Sequence, residues 1–144
     1  MILSIGCDIV AIKRILKIVQ NNGYRLLQRI CTPNEIISLN ILETAKHSLK
    51  SYGTVNQINT LNQSQIFSLA QFIAKRFAAK EAYAKAHGCG IGKYLSFQDI
   101  EIDNDAKGKP FFTNQTALLE NLNAHLSISD EKEFAIAYVI LEKN

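Results

Sequence analysis

The sequence predicts an α+β domain, and three observations carry that expectation. Residues 2–9 alternate as a β-strand, helices interrupted by one polar loop fill most of the stretch from there to residue 86, and the chain after Gly92 turns mainly to strands ending in an antiparallel hairpin. A chain of 144 residues has the usual length of one domain. Residues 1–144 are therefore read as a single domain, with an antiparallel sheet packed against a long helix and several shorter ones.

Ile2 to Ile9 places Leu3, Ile5, Cys7 and Ile9 on one face and Ser4, Gly6 and Asp8 on the other. The apolar face is expected to be buried, which makes Cys7 a core residue. On the second face small side chains lead up to one carboxylate, and Gly6 leaves room beside Asp8 for a ligand. The structural alternative for Asp8 is an N-cap for the helix that follows. Ile12, Ile15, Leu16 and Val19 have the spacing of a buried helical stripe, with Lys13 and Lys17 opposite and Arg14 near them. Asn21-Asn22-Gly23 breaks that helix, and a short second helix over Tyr24–Ile30 projects Arg25 and Arg29. Thr32-Pro33-Asn34-Glu35 combines a capping Thr, Pro at the first helical position and Glu three residues after the cap. It starts a third helix expected to run to about Leu49. Ser51 to Gln63 is polar and uncharged, and reads as a surface loop.

From about Ser64 to Ala86 the chain is alanine-rich without Pro or Gly, and favours helix. Gly88 is a natural residue for ending it, because glycine accepts positive φ. Ile66, Leu69, Ala70, Ile73, Phe77 and Ala84 form an apolar stripe. Glu81 lies on its shoulder and Lys85 one turn further on. A carboxylate beside a buried face needs a partner. That partner is either Lys85, in a surface pair contributing only about 0.3–0.5 kcal/mol, or a metal ion. Gly88, Gly90 and Gly92 do not form a nucleotide P-loop, which needs Gly at position 87 and Ser or Thr at 94 where the chain has His87 and Tyr94. The loop also follows a helix rather than starting one.

Beyond the loop, Ser96–Asp103 reads as a strand, Asn104–Gly108 as a turn and Pro110–Thr113 as a short strand. Asn114–Ala124 reads as a helix with Ala117, Leu118 and Leu122 inward. His125–Ser129 and Glu133–Leu141 read as a hairpin joined by Asp130-Glu131-Lys132.

The apolar fraction of 47% supports a core, and no apolar run reaches the roughly 18 residues of a membrane span. Met1–Val10 is too short, and lacks the basic start, for a signal peptide. Three widely spaced cysteines suggest neither disulfides nor a zinc site, and point to a reducing cytoplasm. Charge is uneven: residues 1–33 carry net +4, residues 34–93 net +4 and residues 94–144 net −5. The basic first segment is either a solvated helix face or a surface for an anionic partner, whether nucleic acid, phosphate ligand or acidic protein.

Two segments together resemble a known family. Gly6-Cys7-Asp8-Ile9 with Arg14-Ile15 is similar to the first motif of the bacterial holo-acyl-carrier-protein synthases, the short single-repeat members of the 4'-phosphopantetheinyl transferase superfamily. Phe77-Ala78, Lys80-Glu81-Ala82, Lys85-Ala86, Gly88 and Gly90 resemble the second and more specific motif. Leu95–Ile100 and His125–Ser129 are similar to the family as well, so the resemblance spans nearly the whole chain. It implies the transferase-like fold and a Mg²⁺-dependent transfer of the phosphopantetheine arm of coenzyme A to a serine of apo acyl carrier protein, for fatty acid biosynthesis, with release of adenosine 3',5'-bisphosphate. By resemblance Asp8 and Glu81 are the metal ligands, and Lys85 acts with them on the phosphates. Gly88 and Gly90 let the backbone approach the nucleotide, and His125 lies near coenzyme A. Arg14, with Lys17 and Arg25, faces the acidic carrier protein. The family also implies a cytoplasmic homotrimer with coenzyme A between subunits, and neither a nucleic-acid nor a membrane partner. A metal-bound or Glu81-held water is the first choice of general base and His125 the second.

Two departures stand out. The 45–65 loop is longer than in many relatives, and Asp130 stands where many of them carry His. Two other functions compete. One is nucleic-acid binding by residues 13–29, where Tyr24 is the sole aromatic. The other is a cysteine nucleophile, Cys89 with His87, which has no orienting third group in the loop.

Overall fold

The computed structural model describes residues 1–39, 61–113, 116–118 and 121–143. The chain opens with strand β1 (Ile2–Ala11), helix α1 (Ile12–Ile30) and the short helix α2 (Pro33–Ile37). Helix α3 (Gln63–Ala86) follows, then a 3₁₀ turn (Phe97–Asp99) and strands β2 (Ile102–Asn104), β3 (Pro110–Phe112), β4 (Leu122–Asp130) and β5 (Phe134–Lys143). Strands β1, β5 and β4 form an antiparallel sheet in that order, and β2 pairs with β3 in a small ribbon. The fold is α+β, with an antiparallel sheet against a long helix.

Helix α3 lies between the sheet and α1. Its residues Leu69, Ala70, Ile73, Ala74, Ala78, Ala79, Ala82, Tyr83 and Ala84 are all buried. The expected single stripe was too narrow, because a helix covered on several sides is buried nearly all round. Alanine makes this possible by letting the backbone come close to its neighbours.

The tightest approach is at Gly6, where a Cβ would overlap the Ala82 carbonyl oxygen and the Ala86 amide nitrogen. Ser4 Oγ also donates to Ala86 O at 2.6 Å. The inner face of β1 is therefore the small one, Ser4, Gly6, Asp8 and Val10. This corrects the expectation that Leu3, Ile5, Cys7 and Ile9 are buried: Leu3, Ile5 and Ile9 stand on the outer face at 49%, 63% and 60% exposure, and Cys7 is half-buried there. Alternation defines two faces but not which one meets the helix, and only small side chains fit under α3. The space at Gly6 holds the helix backbone rather than a ligand.

Thr32 caps α2 in a reciprocal box with Glu35. That helix ends at Ile37 instead of continuing toward Leu49; residues 40–49, and all of the expected 51–63 loop except its last three residues, lie outside the described residues. Helix α1 is kinked at Asn22 (φ −145°, ψ 38°) where a break was expected. Two further expectations fail. Leu122–Ala124 belong to β4, paired with Leu141–Lys143, and not to a helix. The expected 96–103 strand is a 3₁₀ turn followed by the short β2. The late hairpin forms as expected, with Leu126 and alternate β5 residues from Ala135 to Leu141 buried under α3.

Candidate active site

The site is built where β1 ends and α3 nears its C-terminus. Asp8 sits near the end of the strand, two residues past the Gly6 contact that presses β1 onto the helix. Glu81 and Lys85 lie on one line of α3 with Phe77, each four residues from the next, the spacing that stacks side chains along a helix. Lys85 Nζ donates to Asp8 Oδ1 at 2.8 Å and to Cys7 O at 3.1 Å. The partner weighed for Lys85 was Glu81, but its hydrogen bonds go to the strand. Asp8 Oδ2 is buried and has no hydrogen-bond partner.

Charge in this cluster is closely coupled. Burial, and then the neighbouring Asp8 carboxylate, push the Glu81 carboxyl above its ordinary range, against the opposing pull of Lys85 and Arg14. The hydrogen bond to Asp8 holds the Lys85 ammonium above the usual lysine range. Arg14, in the first turn of α1, lies over the Phe77 ring at 5.7 Å. Asp8, Arg14, Glu81 and Lys85 are thus brought together from positions up to 77 residues apart. Two carboxylates, one with a buried oxygen lacking a partner, form a donor set that suits Mg²⁺, which takes hard oxygens and needs only one or two from protein. Among the described residues no group of three or more His, Cys, Asp or Glu side chains forms a metal site.

Beyond Lys85 the helix stops at His87, and Gly88 (φ 71°) and Gly90 (φ 64°) turn the chain away. Nothing lies within 4 Å of where a Cβ would stand at either glycine, so positive φ and not crowding selects glycine there. The open backbone is accessible to a ligand. Cys89 and His87 do not form a pair: Cys89 Sγ faces Ala84 O at 3.7 Å, and the His87 ring packs on Tyr83 at 4.5 Å.

His125 is not part of this cluster. It projects from the outer face of β4, with Nε2 3.0 Å from Glu142 Oε2. It also lines a pocket of about 700 Å³ with Lys109, Phe111, Leu118 and Leu126. Arg14, Lys17 and Arg25 are exposed on α1, Arg25 beyond the kink. Asp130 is 3.4 Å from Lys75 on α3, six residues before Glu81.

A buried polar hub behind the site has no counterpart in the sequence reading. Lys80 is fully buried and its Nζ donates to Glu35 Oε2 at 2.6 Å, Ile30 O at 2.7 Å and Phe97 O at 2.9 Å. Arg76 Nε lies 3.4 Å from Glu35 Oε1. Burial drives the Lys80 and Arg76 pKa values down while Glu35 opposes it. Burial, then Glu35, also pushes the nearby Cys31 thiol up to about 12, so it stays protonated. The sequence placed Lys80 in the second motif and Glu35 in the α2 capping box, but nothing in it joined the two.

Residues 4–139 match the model of the 4'-phosphopantetheinyl transferase superfamily. The chain belongs to this superfamily. A holo-[acyl-carrier-protein] synthase of Bacillus cereus strain G9842 is 41% identical over 144 residues, covering 100% of this chain and 98% of the relative. The crystal structure of a holo-(acyl-carrier-protein) synthase from Bacillus anthracis strain Ames, in complex with CoA (3',5'-ADP), is similar with a TM-score of 0.72 at 41% identity, over 100% of this chain and 99% of that one. The synthase from Neisseria meningitidis gives 0.71 at 36% identity, over 99% and 100%. Within the superfamily fold, the Asp8–Glu81–Lys85 cluster and the glycine loop lie on the two motifs that carried the resemblance.

Proposed function

We propose that this chain is a holo-acyl-carrier-protein synthase. It transfers the 4'-phosphopantetheine arm of coenzyme A to a serine of apo acyl carrier protein, in fatty acid biosynthesis, and releases adenosine 3',5'-bisphosphate. The observation that carries the reading is the meeting of Asp8, Glu81 and Lys85 beside an open glycine loop. Asp8 and Glu81 would hold Mg²⁺, which would neutralise charge developing on the pyrophosphate of coenzyme A. Lys85, held here by Asp8, would stabilise charge on the leaving phosphates. A water held by the metal or by Glu81 would accept the proton of the carrier serine. Gly88 and Gly90 admit the nucleotide close to the backbone.

Arg14, Lys17 and Arg25 form the carrier-protein surface. The second part of the coenzyme A site is the pocket beside His125, supplied by a neighbouring copy in a homotrimer. Support for the assembly comes from the outer sheet face, where Ile5, Ile9, Phe134 and Tyr138 leave a contiguous apolar band. The enzyme works in the cytoplasm, in keeping with three free cysteines.

The test is incubation with coenzyme A, Mg²⁺ and an apo carrier protein. Mass spectrometry should show the gain of one phosphopantetheine on the carrier serine. No gain with any bacterial carrier would defeat the reading.

A further inference from the structure

The basic face of α1 is carried on two half-helices. The Asn22 kink lets Tyr24–Ile30 sit at its own angle to Ile12–Asn21. The first half is held by its junction with β1 and by Ile12 N donating to Glu133 O at 2.8 Å. The second half ends in carbonyls that have no donor within the helix. Side chains from elsewhere take them. Gln98 Nε2 donates to Gln28 O at 2.7 Å and to Cys31 O at 2.9 Å, with a longer 3.4 Å contact to Arg29 O. Lys80 Nζ takes Ile30 O from below.

Gln98 belongs to a 3₁₀ turn that is itself locked. Asp99 Oδ2 accepts from Ser96 N and Ser96 Oγ, and the Phe97 ring packs on Phe77 at 5.2 Å. Gln98 therefore connects the end of the half-helix to α3, the element that bears Glu81 and Lys85. Arg25 and Arg29 stand exposed on the half-helix thus fixed.

We infer that Gln98, with Lys80 beneath it, is a positioning residue for carrier-protein recognition: it sets the tilt of Tyr24–Ile30 and so places Arg25 and Arg29 against an acidic protein surface. The inference rests on the proposed carrier reading of α1. A side-chain amide suits the role because its two N–H groups reach the Gln28 and Cys31 carbonyls, three residues apart, without adding charge to the surface.

Gln98→Met keeps the length of the side chain and removes both donors. The residue is exposed, so Tm should barely change. The KM for apo carrier protein should rise several-fold while that for coenzyme A stays constant. The deciding measurement repeats the substitution in an Arg25→Ala/Arg29→Ala background. If Gln98 acts through these arginines it should have no further effect there, since residues acting through one another are not additive. An unchanged carrier KM, an equal rise in both backgrounds, or a joint rise of both constants with a fall in Tm would each overturn the inference. If the arginine double substitution leaves the carrier KM unchanged, Tyr24–Ile30 is no part of the carrier surface and the inference falls, while the reading of Arg14 and Lys17 stands apart from it.

Discussion

At the residue scale, Lys85 and Glu81 have opposite relations to the stability of the ligand-free protein. Glu81 has a folded-state pKa above its ordinary value, chiefly through burial. Its contribution is full when it is protonated, at pH below the ordinary glutamate range, and is lost as pH rises through the raised value. At neutral pH its charge therefore opposes folding. Glu81→Gln should raise Tm without metal at pH 7, and the gain should vanish at low pH in a thermal scan series. The same substitution, or Asp8→Asn, should cut transfer by orders of magnitude while circular dichroism stays native, and excess chelator should abolish turnover of the wild type. Lys85 has a raised pKa through its bond to Asp8, so its contribution persists from low pH up to the ordinary lysine range and is lost above it. Its side chain is half exposed, so Lys85→Ala should cost only about 0.2–1 kcal/mol in denaturant titration. Coenzyme A turnover should fall far more than that, and unchanged kinetics would leave Lys85 a surface partner of Asp8.

At the scale of elements, pairing decides what periodicity leaves open. The long helix, its glycine stop and the late hairpin were legible because each has a strong local signature. The buried side of β1 was not, since both of its faces alternate cleanly and the choice depends on the backbone of α3 arriving at Gly6. Nor was the start of β4: Leu122 and Ala124 suit a helix by composition, but hydrogen bonding to the end of β5 overrides that preference. The Asp8–Glu81 site was legible through the two motifs, whereas the Lys80–Glu35 hub behind it depends on elements that meet only in space. Lys80→Met leaves Glu35 buried without its main partner and should cost roughly 3–5 kcal/mol. Lys80→Met combined with Glu35→Gln should recover part of that loss in urea unfolding. Gly6→Ala forces β1 and α3 apart, and should cost about 1–3 kcal/mol or more by the same measurement.

For the whole molecule, the proposed homotrimer would pack through the apolar outer face of the sheet. Ile5→Lys places a charge in the middle of that face, at a position 63% exposed in the protomer. Light scattering should show the wild type as a trimer and the variant as a smaller species with native circular dichroism. If His125 and its pocket come from the neighbouring copy, the variant should also lose coenzyme A affinity. The order of strands in the sheet has a separate consequence, for synthesis. β5 is the middle strand, and both β1 and β4 pair through it, with Ile2 opposite Glu142. It also follows every other described strand. During translation β1 therefore waits, without its pairing partner, until nearly all the other described residues have left the ribosome. Such long-range closure makes for slow folding, and it leaves the backbone of β1 without its ladder partner throughout that interval.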